Sequence, residues 1–255
     1  MAAGAALRRK NTVEAGFPPL FEAREIRSGD ALRQAVARAA RGAGAGTLLW
    51  SGRDGTMDVA VLFEPDRPLT RAWPAALVAG LALADALEAA GPERKPVMFG
   101  WPDRLQIDGA RVGTVRAACP PGTAPDAVPD WLAVAVSVRL GRPGEECRTP
   151  DRTTLWEEGF GEVEPGLLAP SYARHLLHWV HRWQEDGFRT VAEVWLDRLA
   201  PSGDETKHGL DPDTGDLLRL TPGTTVPERR RLAEALGRGG KPETDGLETD
   251  GPRAG

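Results

Sequence analysis

Two segments of this sequence contain residue types that could bind an anionic or carboxylic ligand. In the first, small residues flank an arginine, and the backbone N–H groups of such a segment can cradle a phosphate. In the second, a tryptophan precedes a proline, and its aromatic face could form the wall of a pocket for an apolar ring. The first segment is Ser51, Gly52, Arg53, Asp54 and Gly55, preceded by Trp50, and the second begins with Trp101, Pro102, Asp103 and Arg104.

Each segment also has a purely structural interpretation. The composition of residues 51–55 is that of an ordinary hairpin turn, and a tryptophan beside a proline at a strand end is often only part of the packing. Asp58 and Asp103 could bind Mg²⁺ between phosphate oxygens, since magnesium prefers oxygen ligands. Two separate acids are weak support for a metal site, so the residues alone predict no protein metal ligand.

The histidines and cysteines favour neither a metal site nor a nucleophile. His175, His178 and His181 spread over about 120° of a helix, mostly opposite its apolar residues, which is typical of a solvated face. Cys119 and Cys147 lie in polar segments with no base nearby in the sequence, and they form no C-x-x-C pair. The sequence therefore contains no zinc or dithiol motif.

Composition excludes several classes of partner. The 255 residues include 37 acidic and 32 basic side chains, a formal charge of −5, whereas phosphate-backbone binding requires a basic face. No stretch reaches the ~18 consecutive apolar residues of a membrane span, and the N-terminus lacks the long apolar core of a signal peptide. We expect a soluble, cytoplasmic protein that binds neither nucleic acid nor a membrane.

The hydrophobic pattern predicts the elements that must position these residues. Strands are expected at 20–26, 47–50, 57–63, 97–99 and 131–140, with a hairpin of 105–107 and 111–117 around Asp108-Gly109. Helices are expected at 31–41, 75–90, 167–184, 190–199 and 226–236, with a second small hairpin at 209–220. A mixed β-sheet packed against apolar helices defines an α+β fold.

Four regions follow from this pattern. Residues 1–16 are expected to be a flexible leader and residues 17–200 the main domain. Residues 201–236 form a small C-terminal appendage, and residues 237–255, rich in Gly, Pro, Asp and Glu, are expected to be a disordered tail.

The segment from Phe99 to Gly113 resembles the K-W-P-N-D-L-x-x-D-G-x-K-x-x-G pattern of the biotin–protein ligases and lipoate–protein ligases. The apolar helix at 77–87, the strand at 131–140 and the helices within 176–198 are similar to the family's neighbouring elements, in the same order. The resemblance covers residues 17–200 and implies a class II biotin/lipoate ligase-like catalytic domain.

This resemblance implies a two-step reaction. A small carboxylic acid, biotin or a lipoate-like acid, attacks ATP at the α-phosphate in the presence of Mg²⁺ and becomes an acyl-adenylate. A lysine on an acceptor carrier protein then attacks the acyl group. Both steps accumulate negative charge, so the family supplies fixed cations from a Gly/Arg-rich loop, a lysine before Trp-Pro and a second lysine after Asp-Gly.

Several of these chemical positions differ here. Gly100 stands where the family has the lysine before Trp-Pro, and Asp103-Arg104 stands where it has Asn-Asp. Arg111 replaces the second lysine, which keeps the charge but changes its geometry. Loss of one preorganised donor typically costs about 10²–10³ in rate. Arg104 or Arg111 could replace part of the missing charge.

Two hypotheses follow. The first is a divergent acyl-protein ligase with Arg104 and Arg111 as catalytic residues; the substrate and nucleotide would contact Trp50, Ser51, Gly52, Arg53, Asp54, Gly55, Trp101, Pro102, Asp103 and Gly113. The second is a catalytically degenerate ligase fold that binds a ligand or a protein without turnover. A third option, acyl transfer from a thioester carrier, is disfavoured because the chain has only four lysines. Convergence of Arg53, Arg104 and Arg111 around one cleft would favour the enzyme, and separate surfaces would favour the binding module.

Overall fold

The computed structural model describes residues 16–27, 29–93, 95–144, 147, 149, 151–201 and 205–239. Most of the expected leader and tail therefore lies outside the described residues. The strands are β1 Glu22–Glu25, β2 Thr47–Arg53, β3 Thr56–Phe63, β4 Met98–Gly100, β5 Arg104–Ile107, β6 Ala110–Ala118, β7 Leu132–Arg139, β8 Lys207–Leu210, β9 Leu217–Leu220 and β10 Glu228–Arg230. The helices are α1 Ala31–Ala39, α2 Leu69–Ala72, α3 Ala75–Ala90, α4 Pro165–Asp186, α5 Phe188–Asp197 and α6 Leu232–Gly239.

Seven strands form the main sheet, in the order β1-β2-β3-β7-β6-β5-β4. Strand β1 is parallel to β2 and every other neighbouring pair is antiparallel, so the sheet is mixed, as predicted. One face packs against α3, α4 and α5 in the larger core, and the other packs against α1 in a smaller one. Because side chains alternate along a strand, residues 49, 60 and 135 mark the α1 face of β2, β3 and β7.

Helix α3 is the central element of the larger core. Twelve of its 16 residues are buried. Residues 69–90 are apolar and long enough to cross a membrane by length and composition, but 78% of this window is buried inside the protein. The apolar character of the segment thus serves the core between the sheet and helix α4.

A polar network ties strand β4 to the helices. The Asp85 carboxylate on α3 accepts a hydrogen bond from Trp179 Nε1 at 2.7 Å and pairs with Arg198 Nη2 at 2.8 Å. The carbonyl of Arg198 accepts the N–H of Phe99 at 2.7 Å. The Phe99 ring stacks on Trp195 at 4.9 Å. This network fixes the strand that carries residue 100 at one edge of the sheet.

The C-terminal part forms a separate three-stranded sheet, in the order β10-β9-β8, followed by α6. The predicted hairpin at 209–220 is present, but the helix predicted from residue 226 is wrong in its first half. Arg229 pairs with Asp211 at 2.9 Å and Asp216 at 3.1 Å, which holds residues 228–230 extended. The helix begins only at Leu232, whose N–H donates to Asp216.

Asp30 fixes the first turn of α1. Its carboxylate accepts the N–H of Arg33 at 2.8 Å, so it is the N-cap of the helix. The same carboxylate forms an ion pair with Arg116 on β6. Burial raises the pKa of Asp30, but the hydrogen bonds from Arg33 and Arg116 outweigh it, and the pKa lies below its ordinary value of 3.8. The cap therefore also anchors α1 to the sheet.

Two glycines should respond oppositely to alanine. A Cβ at Gly52 would lie 2.3 Å from Pro165 Cβ at the start of α4, whereas a Cβ at Gly80 in α3 would lie 3.5 Å from its nearest neighbour, Val115. We expect Gly52→Ala to destabilise the fold by about 1–3 kcal/mol through overpacking. Gly80→Ala should be neutral or stabilising by up to about 1 kcal/mol, since alanine favours helix. Urea unfolding measures the stability of both variants, and equal unfolding midpoints for the two would contradict these contacts.

The cap and the ion pair of Asp30 can be separated by two substitutions. Asp30→Ala removes both and should cost about 1–2 kcal/mol, whereas Asp30→Asn keeps a good N-cap and should cost less. Because the pKa of Asp30 is lowered in the folded state, the ionised carboxylate stabilises the fold above pH 3.8. The advantage of wild type over Asp30→Asn should therefore vanish as pH falls through that lowered pKa. Urea unfolding between pH 7 and 2 measures this; an advantage unchanged at pH 2 would contradict it.

Candidate functional site

A polar cleft opens on the α1 face of the sheet, between the first turn of α1 and the hairpin end of β2 and β3. All of its described lining residues are charged, hydroxyl-bearing or glycine. Its charged side chains are Arg27, Asp30, Arg53, Asp54, Asp58 and Arg116. Ser51, Asp58 and Ser137 occupy one row of the floor, since Asp58 pairs with Ser51 on β2 and with Ser137 on β7. The cleft therefore combines hydrogen-bonding groups with charges of both signs.

Asp58 is the most buried charged group of the cleft. Its Oδ2 atom accepts the N–H of Ala31 at 2.9 Å, at the first residue of α1. Arg116 extends from β6 and joins Asp58 to Asp30: its Nη2 lies 3.5 Å from Asp58 Oδ1, and its Nη1 pairs with Asp30. Burial raises the pKa of Asp58, and the opposing effects of Ala31 and Arg116 do not cancel it. The ionised carboxylate thus depends on nearby positive charge.

In the structure, residues 51–53 belong to strand β2, where their side chains alternate between the two faces of the sheet, and residues 54–55 form the turn. Strand β2 continues to Arg53, so Ser51, Gly52 and Arg53 pair with β3 instead of forming a loop. The turn consists of Asp54 and Gly55, both with positive φ, as in a two-residue hairpin. Ser51, Arg53 and Asp54 line the cleft, but with side chains on a strand end and its turn. Gly52 faces α4 instead.

Trp50 belongs to the core. It is 6% exposed, packs in the larger core and lies 6.1 Å from the Phe17 ring, centroid to centroid. Since adjacent strand residues point to opposite faces, Trp50 lies on the face opposite Ser51 and does not line the cleft.

Residues Trp101, Pro102 and Asp103 form the turn from β4 to β5. The Trp101–Pro102 peptide bond is cis. Trp101 is half-buried against the larger core, and its Nε1 atom is buried with no hydrogen-bond partner among the described residues. The carbonyl of Asp103 accepts the N–H of Val115 at 2.7 Å. None of the three residues lines the polar cleft.

Arg104 lies directly across from Gly100. The two residues are partners in the β4–β5 ladder. A Cβ at Gly100 would lie 3.3 Å from Arg104 Cβ and 3.6 Å from its Cδ, so the arginine side chain runs beside the place where a side chain at position 100 would begin. Lys95 does not fill this place, because its ammonium group is paired with Glu158 at 2.8 Å and with Asp108.

Arg111 and Gly113 lie on β6. Arg111 pairs with Gln106, two residues from Arg104 on the same face of β5, and its carbonyl accepts a hydrogen bond from Arg139 Nη2 at 3.2 Å. At Gly113, a Cβ would lie 2.7 Å from the carbonyl oxygen of Ser137, so this glycine permits the close approach of β6 and β7.

The three predicted arginines share one face but do not converge on one point. Arg53 on β2 and Arg104 on β5 are four strands apart, about 19 Å at ~4.8 Å per strand. Arg104 and Arg111 are on adjacent strands. Arg139 lies between Arg53 and Arg111, because Thr56, the partner of Arg53, also pairs with Arg139. Arg53, Arg139 and Arg111 therefore form a row along one end of the sheet. Arg104 lies one side-chain step inward, because its partner Thr114 pairs with Ser137, in the row of Asp58.

The structure does not bring together the two acids considered as possible magnesium ligands. Asp58 and Asp103 lie on β3 and at the start of β5, three strands apart, about 14 Å by the same spacing. In the part of the chain that the structure describes, no group of three or more His, Cys, Asp or Glu side chains could hold a metal ion. His175 lies 3.9 Å from Asp85, and His181 pairs with Glu185, so these histidines have acidic neighbours on the helices.

Sequence reasoning missed six cleft residues: Arg27, Gly29, Asp30, Thr56, Arg116 and Ser137. Asp30 is recognisable from the sequence as a helix-capping residue, but its pairing with Arg116 spans 86 positions and leaves no local signal. Ser137 is a polar residue between buried valines of β7, and Arg116 follows the buried Val115 on β6. A polar residue beside buried ones in a central strand was the available signal.

Comparison with known proteins places the chain in a family. A family model described as the biotin/lipoate A/B protein ligase family matches residues 17–197. A biotin protein ligase-like protein of unknown function from Silicibacter sp. TM1040 is 30% identical, with a TM-score of 0.75, over 86% of this chain and 97% of that chain.

Two further structures share the fold at lower identity. Biotin protein ligase from Aquifex aeolicus is 18% identical, with a TM-score of 0.66, over 82% of this chain and 95% of that chain. The same ligase in complex with biotin and ATP is 18% identical, with a TM-score of 0.61, over 82% and 98%. A search of curated proteins found no match. Because the family model covers more than half of the chain, this protein belongs to the biotin/lipoate A/B protein ligase family.

Proposed function

We propose that this protein activates a small carboxylic acid with ATP and transfers the acyl group to a lysine of a carrier protein. Family membership and the ligase fold support this proposal. The Aquifex aeolicus ligase of the same fold is known in complex with biotin and ATP. Two free cysteines are compatible with a cytoplasmic location, where ATP is available, and we place the protein there.

In the first step, a carboxylate oxygen of the acid bonds to the α-phosphorus of ATP, and the bond from that phosphorus to pyrophosphate breaks. In the second step, the neutral amine of the carrier lysine bonds to the acyl carbon and AMP leaves, while the amine proton passes to solvent. Negative charge accumulates at the phosphate in the first step and at the acyl oxygen in the second. Fixed cations lower both barriers.

The row of arginines suits two anionic substrates better than one. The acid would bind in the polar cleft at the Arg53 end of the row. The phosphates of the nucleotide would lie along Arg139, Arg111 and Arg104. Asp58 and Asp103 do not fit a shared magnesium site, so no step is assigned to a metal held by them.

The observation that carries the proposal is the position of Arg104 beside Gly100. The family lysine at this position would extend from β4, and here the side chain of Arg104 begins beside the same place on the neighbouring strand, with its Cβ 3.3 Å and its Cδ 3.6 Å from a Cβ at position 100. Within the described residues Arg104 forms no ion pair. An exposed cation without an ion-pair partner among the described residues is available to an anionic substrate. A cation is therefore retained although the lysine is absent.

A second function, ligand binding without turnover, is favoured by a different observation. No lysine lines the described part of the cleft. Arg116, its most buried cation, is already paired with two carboxylates. In this alternative the protein would bind an acid but form no adenylate, and turnover assays distinguish the two functions.

Exchange of labelled pyrophosphate into ATP, in the presence of a bound acid, measures the first step. We expect Arg104→Gln to lower the exchange rate about 10²–10³-fold, because one preorganised cation is lost. The double variant Gly100→Lys/Arg104→Gln should recover at least part of this loss by returning the cation to β4. Arg182→Gln, on the exposed side of α4 where Arg182 pairs with Asp186, is the matched control and should leave the rate unchanged.

Three results would argue against this assignment. Absence of exchange with every acid that binds would favour the binding module. An Arg104→Gln rate equal to that of wild type would remove Arg104 from the chemistry. Equal losses in Arg104→Gln and Arg182→Gln would indicate a general effect of removing positive charge.

A further inference from the structure

The described lining of the cleft suits a ligand that is polar or charged at both ends better than one with an apolar ring. Lipoate carries an apolar, sulfur-containing ring on an alkyl chain, and biotin combines a polar cyclic urea with an apolar thioether ring and alkyl chain. Such apolar portions are stabilised by apolar walls. In the described residues, no apolar side chain lines this cleft. An apolar ring placed on its floor would displace water from charged groups without pairing with them, which is unfavourable.

The charges of the cleft are segregated along its length. At the inner end, beside the first turn of α1, two carboxylates, Asp30 and Asp58, face a single cation of the cleft lining, Arg116; outside the lining, Arg33 on α1 also acts on Asp30. At the outer end, two cations, Arg27 and Arg53, accompany one exposed carboxylate, Asp54. Within the described residues, neither Arg27 nor Arg53 forms an ion pair. The inner end therefore carries an excess negative charge and the outer end an excess positive charge.

The inner carboxylate is also incompletely satisfied. Asp58 Oδ1 is buried and lacks a well-formed hydrogen bond from any described residue, with Arg116 Nη2 at 3.5 Å. The hydroxyl of Ser137 lies beside the Asp58 carboxylate and lowers the pKa of Asp58, but burial, which raises this pKa, has the larger effect. A buried acceptor without a donor costs free energy. A donor carrying positive charge would satisfy both the hydrogen bond and the charge.

We propose that the acid bound by this cleft is an amino acid, with its ammonium group at Asp58 and its carboxylate at Arg53. The inference deepens the proposed function, because it takes the cleft as the acid-binding site. One strand step and two residues separate the backbones of Asp58 and Arg53, about 8 Å. This separation suits a short chain, with the amine and the carboxylate at opposite ends. The carboxylate would then face the row of arginines where activation is proposed.

Isothermal titration of the full chain, without ATP, tests the ligand class directly. The probes are glycine, β-alanine, 4-aminobutyrate and 5-aminovalerate, each compared with the acid of the same chain length that lacks the amine. Butylamine, biotin and lipoate complete the set. We expect at least one amino acid to bind ten-fold or more tightly than its amine-free partner, than butylamine, and than biotin or lipoate.

The Asp58→Asn variant tests the assigned contact. Asparagine can still accept the N–H of Ala31, but it removes the negative charge, so the preference for the amino acid should fall below about three-fold. Asp66→Asn is the matched control: this exposed carboxylate lies beyond the opposite end of β3 and pairs with Arg67, so the preference should persist.

Several outcomes would overturn the inference. One is equal binding of the amino and amine-free acids by wild type, a comparison that requires no variant to fold. Others are tighter binding of biotin or lipoate, no binding of any amino acid, or an undiminished preference in folded Asp58→Asn. Failure of pyrophosphate exchange would instead overturn the proposed function and leave the titration result intact.

Discussion

The pairing of Arg116 with Asp30 and Asp58 holds together the part of the fold on which the site depends. It joins the first turn of α1, strand β3 and strand β6 through one guanidinium. Charges that are partly removed from water stabilise a fold only when their partners are well placed, and apolar replacements often serve stability as well or better. A charged triad on the floor of a cleft is therefore better explained by what the cleft must recognise than by the stability of the sheet.

A second constraint concerns which strand can supply the cation near position 100. At position 100 the backbone conformation remains that of a strand, and the neighbouring Arg104 passes beside the vacant side-chain position. An antiparallel pair places its two side chains on the same face, close enough to interact. A charge can thus move from one strand to its partner during divergence while staying near the same point of the site. Arginine differs from lysine in reach and in its planar donor arrangement, so such a move changes the geometry of anion binding.

Much of this fold could be predicted because its signals are local. The hairpin between β5 and β6 follows from Asp108-Gly109, whose positive φ angles suit a two-residue turn. The buried helix α3 follows from its continuous apolar composition. The α+β class and the family were both recognisable from the order of such elements and from the Trp101-Pro102 segment.

The site was less predictable because its contacts are distant in sequence. Composition allowed either a phosphate loop or an ordinary hairpin turn at 51–55; strand pairing extends β2 through Arg53 and leaves a two-residue hairpin turn. Likewise, residues 228–230 are held as a strand by ion pairs of Arg229 with Asp211 and Asp216, which no local propensity indicates. Trp50 illustrates the same difficulty, because one position along a strand separates a cleft residue from a core residue.

The two proposals constrain each other through the chemistry of the amine. An activated amino acid carries both an electrophilic acyl group and a nucleophilic nitrogen, and a free amine can attack its own adenylate and form a ring. An ammonium group held against Asp58 is protonated and lacks the lone pair that such an attack needs. Its attachment at the inner end of the cleft also keeps it away from the acyl group near Arg53. The buried carboxylate would therefore select the ligand and also protect the activated intermediate, leaving the carrier lysine as the attacking amine.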